Sequence, residues 1–259
     1  AHGWLEAQHI ALGGTGTAPV LSLDNVEIGP DTTILTGGDQ AAGVLDILGQ
    51  TTLDGLIMAT ARAGGTTIDL VNGATLATSD SGSILSSNEA TLRLTGTGLI
   101  ANDGIIVAEG GVYIGPNVTL GGTSTGEIRL QQGGHLTIDG SFASSQYVEF
   151  GDSTGRVTLN NLAGFDGWFV NMSQGDRIEI TGQTITSVSY DLGSDVLSLY
   201  DGVTQVGSLY VYTADNETGF HVRADGHGGS VITYTPRVQL LQPSLPVPVV
   251  AAPDQSVSL

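Results

Sequence analysis

Short runs of alternating apolar and polar residues, each ending in a turn former, recur through the first two-thirds of the chain, and this repeat limits the fold more than any other feature. They include Val20-Leu-Ser-Leu-Asp-Asn25, Val44-Leu-Asp-Ile-Leu-Gly49, Thr67-Ile-Asp-Leu-Val-Asn-Gly73, Thr91-Leu-Arg-Leu-Thr-Gly96 and His135-Leu-Thr-Ile-Asp-Gly140. Alternation at period two marks a half-buried strand. Aligned on the second inward residue, the runs give Leu23, Ile47, Leu70, Leu94, Ile114, Ile138 and Leu159, spaced 24, 23, 24, 20, 24 and 21 residues apart.

A unit of 20–24 residues, holding two or three short strands with Gly, Asn or Asp at its corners, is one coil of a β-solenoid. An antiparallel sandwich also strings short strands at regular spacing. Recurrence of similar inward motifs at one distance, with Gly110-Gly111, Gly121-Gly122 and Gly133-Gly134 between them, favours the solenoid. The expected fold is all-β: a parallel β-helix with coils over residues 19–162, a C-terminal β-rich cap over 163–235, and an extended tail over 236–259. Residues 1–18 form an N-terminal segment. Propensity alone admits two short helices, over Trp4–Leu12 and Asp54–Ala63.

The cap is expected because the texture changes after residue 163. Five of the seven tyrosines follow that point, and Asp191-Leu-Gly-Ser194, Asp201-Gly202 and Asp225-Gly-His-Gly-Gly229 read as hairpin turns. The tail carries five of the eight prolines and no turn pattern.

Composition narrows function. Seven arginines and no lysine stand against 26 acids, a formal charge of −19, which argues against nucleic acid because phosphate contacts need a basic surface. Cysteine is absent, so disulfides, thiolate metal sites and thiol nucleophiles are excluded. Glycine at 39 of 259 positions implies frequent turns, and 40% hydrophobic residues are enough for a core. No apolar run reaches the roughly 18 residues of a membrane span. Ala1 reads as an end left after signal cleavage.

From about Gly96 to Tyr234 the chain resembles an autotransporter-like or adhesin-like β-solenoid repeat module of large secreted and surface proteins of alphaproteobacteria. The resemblance rests on Gly104-Ile-Ile-Val-Ala-Glu-Gly-Gly111, Gly133-Gly-His-Leu-Thr-Ile-Asp-Gly-Ser-Phe142, Val157-Thr-Leu-Asn-Asn-Leu-Ala-Gly-Phe165, Gly175-Asp-Arg-Ile-Glu-Ile-Thr-Gly182 and Phe220-His-Val-Arg-Ala-Asp-Gly-His-Gly-Gly-Ser-Val-Ile232. It implies an extracellular or cell-surface location and a structural or adhesive role, with no catalytic residues to carry over.

The residues themselves offer no enzyme motif. Polysaccharide lyases and hydrolases on parallel β-helices need clustered carboxylates with a basic partner on neighbouring coils. Here Asp24, Asp46, Asp69 and Asp139 form at most an outward column, read as solvated corner residues. Calcium is the one candidate cofactor, since it takes oxygen ligands from carboxylates and turn carbonyls, but the glycine-rich calcium nonapeptide does not occur. The expected catalytic and metal sites are therefore none.

Two function classes remain. The first is a non-enzymatic subunit of an extracellular fibre or biofilm-like matrix that forms a homo-oligomer or homopolymer through its termini. An apolar strand can fill an open sheet edge on a neighbour. The expected contacts are Trp4, Leu5, Ile10 and Leu12 at the N-terminus, and Val238, Leu240, Leu241, Leu245, Val247, Val249 and Val250 in the tail. The second class is a monomeric adhesin or surface-glycan module that stacks sugars on Trp168, Tyr200, Tyr210 or Tyr212.

Overall fold

The protein, described as a computed structural model, is defined over residues 3–12, 18–37, 42–60, 65–213 and 219–235. Its strands stack coil upon coil in parallel register into a β-solenoid of about 7 turns. Each full coil contributes to three faces. The first face runs from Val20–Leu23 and Val44–Ile47 through Gly111–Ile114, His135–Ile138 and Arg156–Leu159 to Arg177–Ile180. The second runs from Gly3–Leu5 through Val26–Ile28 and Gln50–Leu53 to Val118–Gly121 and Ser141–Phe142. Two long strands, Thr66–Thr78 and Thr91–Asn102, bend across the corner and belong to both. The third face comprises His9–Leu12, Thr33–Thr36, Leu56–Ala59, Ser83–Ser86, Ile105–Ala108, Gly126–Leu130, Gln146–Phe150 and Trp168–Val170.

Alternation explains the core. On the third face Ile34, Ile57, Ile84, Ile106, Ile128, Val148 and Phe169 occupy matching register positions and are fully buried. Burying each such side chain is worth roughly 1.5–3 kcal/mol, and a coil realises this only when the next coil covers it. On the first face the column is Leu21, Leu45, Ile68, Leu94, Ile114, Ile138, Leu159 and Ile180.

That column corrects the sequence alignment at one coil. Leu94 pairs with Ile68, whereas Leu70 pairs with Gly96. The corner after Leu70 holds two more residues than the corner after Gly96, so the register shifts between Gly96 and Gly98. A slip of two keeps every side chain on the same face, which is why the alternation pattern concealed it. Gly96 is required here: its φ is +84°, and a Cβ would lie 2.2 Å from the Leu70 carbonyl oxygen.

Both helix expectations are also corrected. Trp4–Leu12 contains strands Gly3–Leu5 and His9–Leu12, which pair with Val26–Ile28 and Thr33–Thr36. Within Asp54–Ala63, Leu56–Ala59 is a strand between Thr33–Thr36 and Ser83–Ser86, while residues 61–63 fall outside the described residues. Ladder hydrogen bonds on both sides and burial of Ile57 and Ala59 override a weak local helix preference.

Several buried polar side chains bond to one another along the stack. At one corner Thr78 Oγ1 donates to Asn102 Oδ1 (2.8 Å), and Asn102 Nδ2 donates to Gln146 Oε1 (3.0 Å). At another, Thr36 Oγ1 donates to Thr66 Oγ1 (2.9 Å).

The two ends differ. At the C-terminal end Ser230–Tyr234 pairs antiparallel with Arg177–Ile180 and with Phe220–Ala224. Thr204–Tyr212 continues the third face beside Trp168–Val170 and leads an antiparallel meander with Val196–Asp201 and Ser187–Asp191. The three expected hairpin turns join these strands. Beneath them the core becomes aromatic: Phe165 stacks on Phe142 (4.8 Å) and Phe169 (4.7 Å), and Phe220 contacts Tyr190 and Tyr234 (5.0 Å each). At the N-terminal end no described strand pairs with the outer edge of Gly3–Leu5, His9–Leu12 or Val20–Leu23. Among the described residues no helix is long and apolar enough to cross a membrane.

Candidate functional surface on the third face

In a solenoid strand every second residue points outward, and parallel register lines these residues into columns along the rod. Two columns run along the third face. One reads His9, Thr33, Leu56, Ser83, Ile105, Glu127, Tyr147, Trp168 and Tyr210. The other reads Ala11, Leu35, Met58, Leu85, Val107, Arg129, Glu149, Val170 and Tyr212. The face thus changes along its length from apolar, through an ion cluster, to aromatic.

The aromatic end gathers three of the four residues proposed for sugar stacking. Trp168 and Tyr210 stack with ring centroids 4.8 Å apart and an interplanar angle of 25°. Tyr147 stands on the preceding coil in register with Trp168, and Tyr212 lies two residues from Tyr210 on the same side. Tyr210 and Tyr212 are 42% and 47% exposed. Tyr200 does not join them. It sits four residues along its strand from Val196, the register partner of Tyr210, or about 13 Å at the rise of an extended chain.

Arg129 forms the centre of the ion cluster. Its Nε lies 2.6 Å from Glu149 Oε2 and 2.7 Å from Glu127 Oε1, and Asn171 Nδ2 donates to Glu149 Oε1 at 3.0 Å. Partial burial, reinforced by hydrogen bonding and charge repulsion from Glu149, pushes the Glu127 carboxyl up to about 7. Glu149 is held below the ordinary carboxylate range, first by the hydrogen bond from Glu127 and then by Arg129. The pair therefore shares one proton near neutral pH. With Tyr147 and Val170 these groups line a shallow depression of about 310 Å³. Its donors and acceptors suit a polyhydroxylated ligand laid across the neighbouring rings.

The outward aspartates Asp24, Asp46, Asp69 and Asp139 do not line up in a single column. Asp46 and Asp69 are register partners, and Asp69 accepts from Thr95 Oγ1 (3.0 Å). Asp24 lies two positions out of register, because Ser22 is the partner of Asp46. Asp139 stands apart, accepting from the Tyr113 hydroxyl (2.6 Å) and Asn160 Nδ2, and Asn160 in turn accepts from Thr181 Oγ1 (2.7 Å). Asp225 accepts from the turn amides of His227 (2.6 Å) and Gly229 (2.9 Å). Among the described residues no group of three or more His, Asp or Glu side chains is placed to hold a metal ion.

The N-terminal contact residues line the open edge. Leu5, Ile10 and Leu12 are half-buried against the core, and Trp4 is 56% exposed with its Nε1 donating to Glu6 Oε2 at 3.3 Å. The tail residues Val238, Leu240, Leu241, Leu245, Val247, Val249 and Val250 lie outside the described residues.

The outward apolar columns and the Glu127–Arg129–Glu149 cluster were missed from sequence. A signal for the first existed: Leu56-Ile-Met-Ala59 and Ile105-Ile-Val-Ala108 are apolar at both parities, so one apolar set must point out. Compared with models of known protein families the chain matches none, and no curated protein matches it.

Proposed function

We propose that the chain is a secreted, non-enzymatic structural protein, a self-assembling β-solenoid unit of an extracellular fibre or surface matrix. The observation that carries this reading is the open edge of the first coil. There Leu5, Ile10, Leu12 and Leu21 are only half-buried, and a row of backbone donors and acceptors meets no described strand. A parallel edge of this kind is a template for further strands, and a coil of the same type satisfies it by stacking. The opposite end finishes in antiparallel hairpins whose outer strands, Phe220–Ala224 and Ser187–Asp191, are the edges left to meet the next unit's first coil, so stacking has a direction. The excess of acids keeps free units apart until edge pairing outweighs their repulsion. Negative-stain electron microscopy and analytical ultracentrifugation over a range of concentrations test this. End-to-end rods are expected, and they should revert to single folded units in Ile10→Lys with Leu12→Lys. Single rods at every concentration would sink the reading.

The Trp168–Tyr210 stack favours a second reading, a monomeric glycan-binding module. It predicts retention on a glycan array that Trp168→Ala abolishes and the edge substitutions leave intact.

A further inference from the structure

At the C-terminal end both sheets reverse strand direction twice, and the second reversal undoes the first. On the third face Thr204–Tyr212 is parallel to Trp168–Val170, Val196–Asp201 is antiparallel to it, and Ser187–Asp191 is antiparallel again. On the first face Ser230–Tyr234 is antiparallel to Arg177–Ile180, and Phe220–Ala224 is antiparallel to Ser230–Tyr234. Both outermost strands therefore run in the direction of the coil strands, and no described strand pairs with the outer edge of either.

We infer, on the reading that the units stack, that these two strands seat the first coil of a second copy of this chain. Ser187–Asp191 pairs in parallel with the incoming His9–Leu12, and Phe220–Ala224 pairs in parallel with the incoming Val20–Leu23. Direction agrees on both faces at once, as the ladder inside the rod requires. Length agrees too, with four residues meeting five on each face.

The core residues are matched in the same way. Ile10, Leu12 and Leu21 point inward at the first coil, as do Val188, Tyr190, Phe220 and Val222 at the last strands, and all seven are only half-buried. One coil further in, Ile34 and Leu45, the register partners of Ile10 and Leu21, are fully buried. Each end thus offers the apolar cover that the other lacks. Tail-to-tail contact about a two-fold axis would leave both first coils open, whereas head-to-tail contact covers both ends and grows into a filament.

The register follows from the columns. Traced from strand to strand, the column of His9 ends on Asp191, and the column of Val20 ends on Arg223. A slip of two residues in the same sense on both faces brings Ile10 beside Tyr190 and Leu21 beside Val222. Such a slip keeps every side chain on its own face. It also sets two outward pairs across the joint, Ser22 beside Arg223 and His9 beside Ser189.

The chain has no cysteine, so introduced pairs report the joint alone. Within one chain Val20 and Arg223 stand nine strand spacings apart, or about 43 Å, so Ser22 and Arg223 cannot be bridged within it. Ser22→Cys with Arg223→Cys, and His9→Cys with Ser189→Cys, are each oxidised mildly and run on a denaturing gel, with sedimentation measured in parallel. Each matched pair is expected to give a ladder of covalent multimers several-fold stronger than the crossed pair, Ser22→Cys with Ser189→Cys. Rods in which the crossed pair links as well as the matched pairs would overturn this pairing and leave stacking itself standing. Arg223→Cys alone linking as readily as the matched pairs would place two copies tail to tail and also overturn it. Single units at every concentration would overturn both the pairing and the stacking.

Discussion

Asn102 and Gln146 are 44 residues apart in sequence, yet Asn102 Nδ2 donates to Gln146 Oε1 at 3.0 Å and Gln146 Nε2 donates back to the Asn102 carbonyl at 2.8 Å, both side chains fully buried. The coil between them contributes Gly126, where a Cβ would lie 2.0 Å from the Asn102 carbonyl oxygen. A glycine thus opens the gap that lets two amides bond past an intervening coil. Asn102→Ala would leave Gln146 and Thr78 short of partners in a dry interior, at a cost of about 1–3 kcal/mol for each unsatisfied group. Urea titration should show a lower midpoint with an unchanged slope. An unaltered midpoint would mean that water replaces the amide.

Two left-handed glycines separate backbone strain from crowding. Gly202 has φ +61° with nothing near its missing side chain, whereas Gly96 has φ +84° and a Cβ position 2.2 Å from the Leu70 carbonyl oxygen. Gly202→Ala should cost about 1 kcal/mol. Gly96→Ala should cost more, because the coil must also move. Thermal unfolding of the two variants side by side checks the ranking, and equal losses would refute it.

Glu127 makes stability depend on pH in the direction opposite to an ordinary paired acid. Unfolded, it releases its proton near 4.5; folded, it holds it to about 7. Between those values the folded state binds more protons, so this contribution is complete at low pH and is lost as pH rises through 7. Glu149, shifted down, contributes above about 4.5 and loses its contribution as pH falls. Glu127→Gln keeps a donor toward Glu149 but removes the titration. Between pH 5 and pH 8 the variant should gain about 1 kcal/mol relative to the parent, after allowance for solvent screening. Urea midpoints at both pH values measure it, and parallel curves would show that Glu127 titrates normally.

Adjacent isoleucines should respond oppositely to truncation. Ile106 is fully buried in the third-face column, and Ile105 points outward. Ile106→Ala should cost about 2–5 kcal/mol through the cavity it leaves, whereas Ile105→Ser should stay within about 1 kcal/mol. Similar losses at both positions would mean that the register of this strand is wrong.

Strand existence, coil length and the inward set were legible in the sequence, because period-two alternation and turn formers are local properties. Ile47, Ile114, Ile138 and Leu159 could be placed inside from their immediate neighbours alone. Helix propensity over Leu56–Ala59 misled for the converse reason: the force that decides that segment comes from the coils on either side.

The candidate surface was less legible. Trp168 and Tyr210 were each nominated as aromatics, but their stacking arises from strand pairing between residues 42 positions apart. Tyr200 looked equivalent in sequence and falls outside the ladder by its position on the meander. Glu127, Arg129 and Glu149 carried no motif at all.

The sequence by itself favoured a solenoid over a sandwich, since an inward pattern repeated at one distance buries its apolar residues by stacking on its own copies. Tertiary structure alone decided which outward residues share a column, where the register slips at Leu70 and Gly96, and that one end finishes in parallel coils and the other in antiparallel hairpins. Those outcomes depend on the number of residues in each corner, and a change of two there moves every later neighbour along the rod without altering the alternation that the sequence displays.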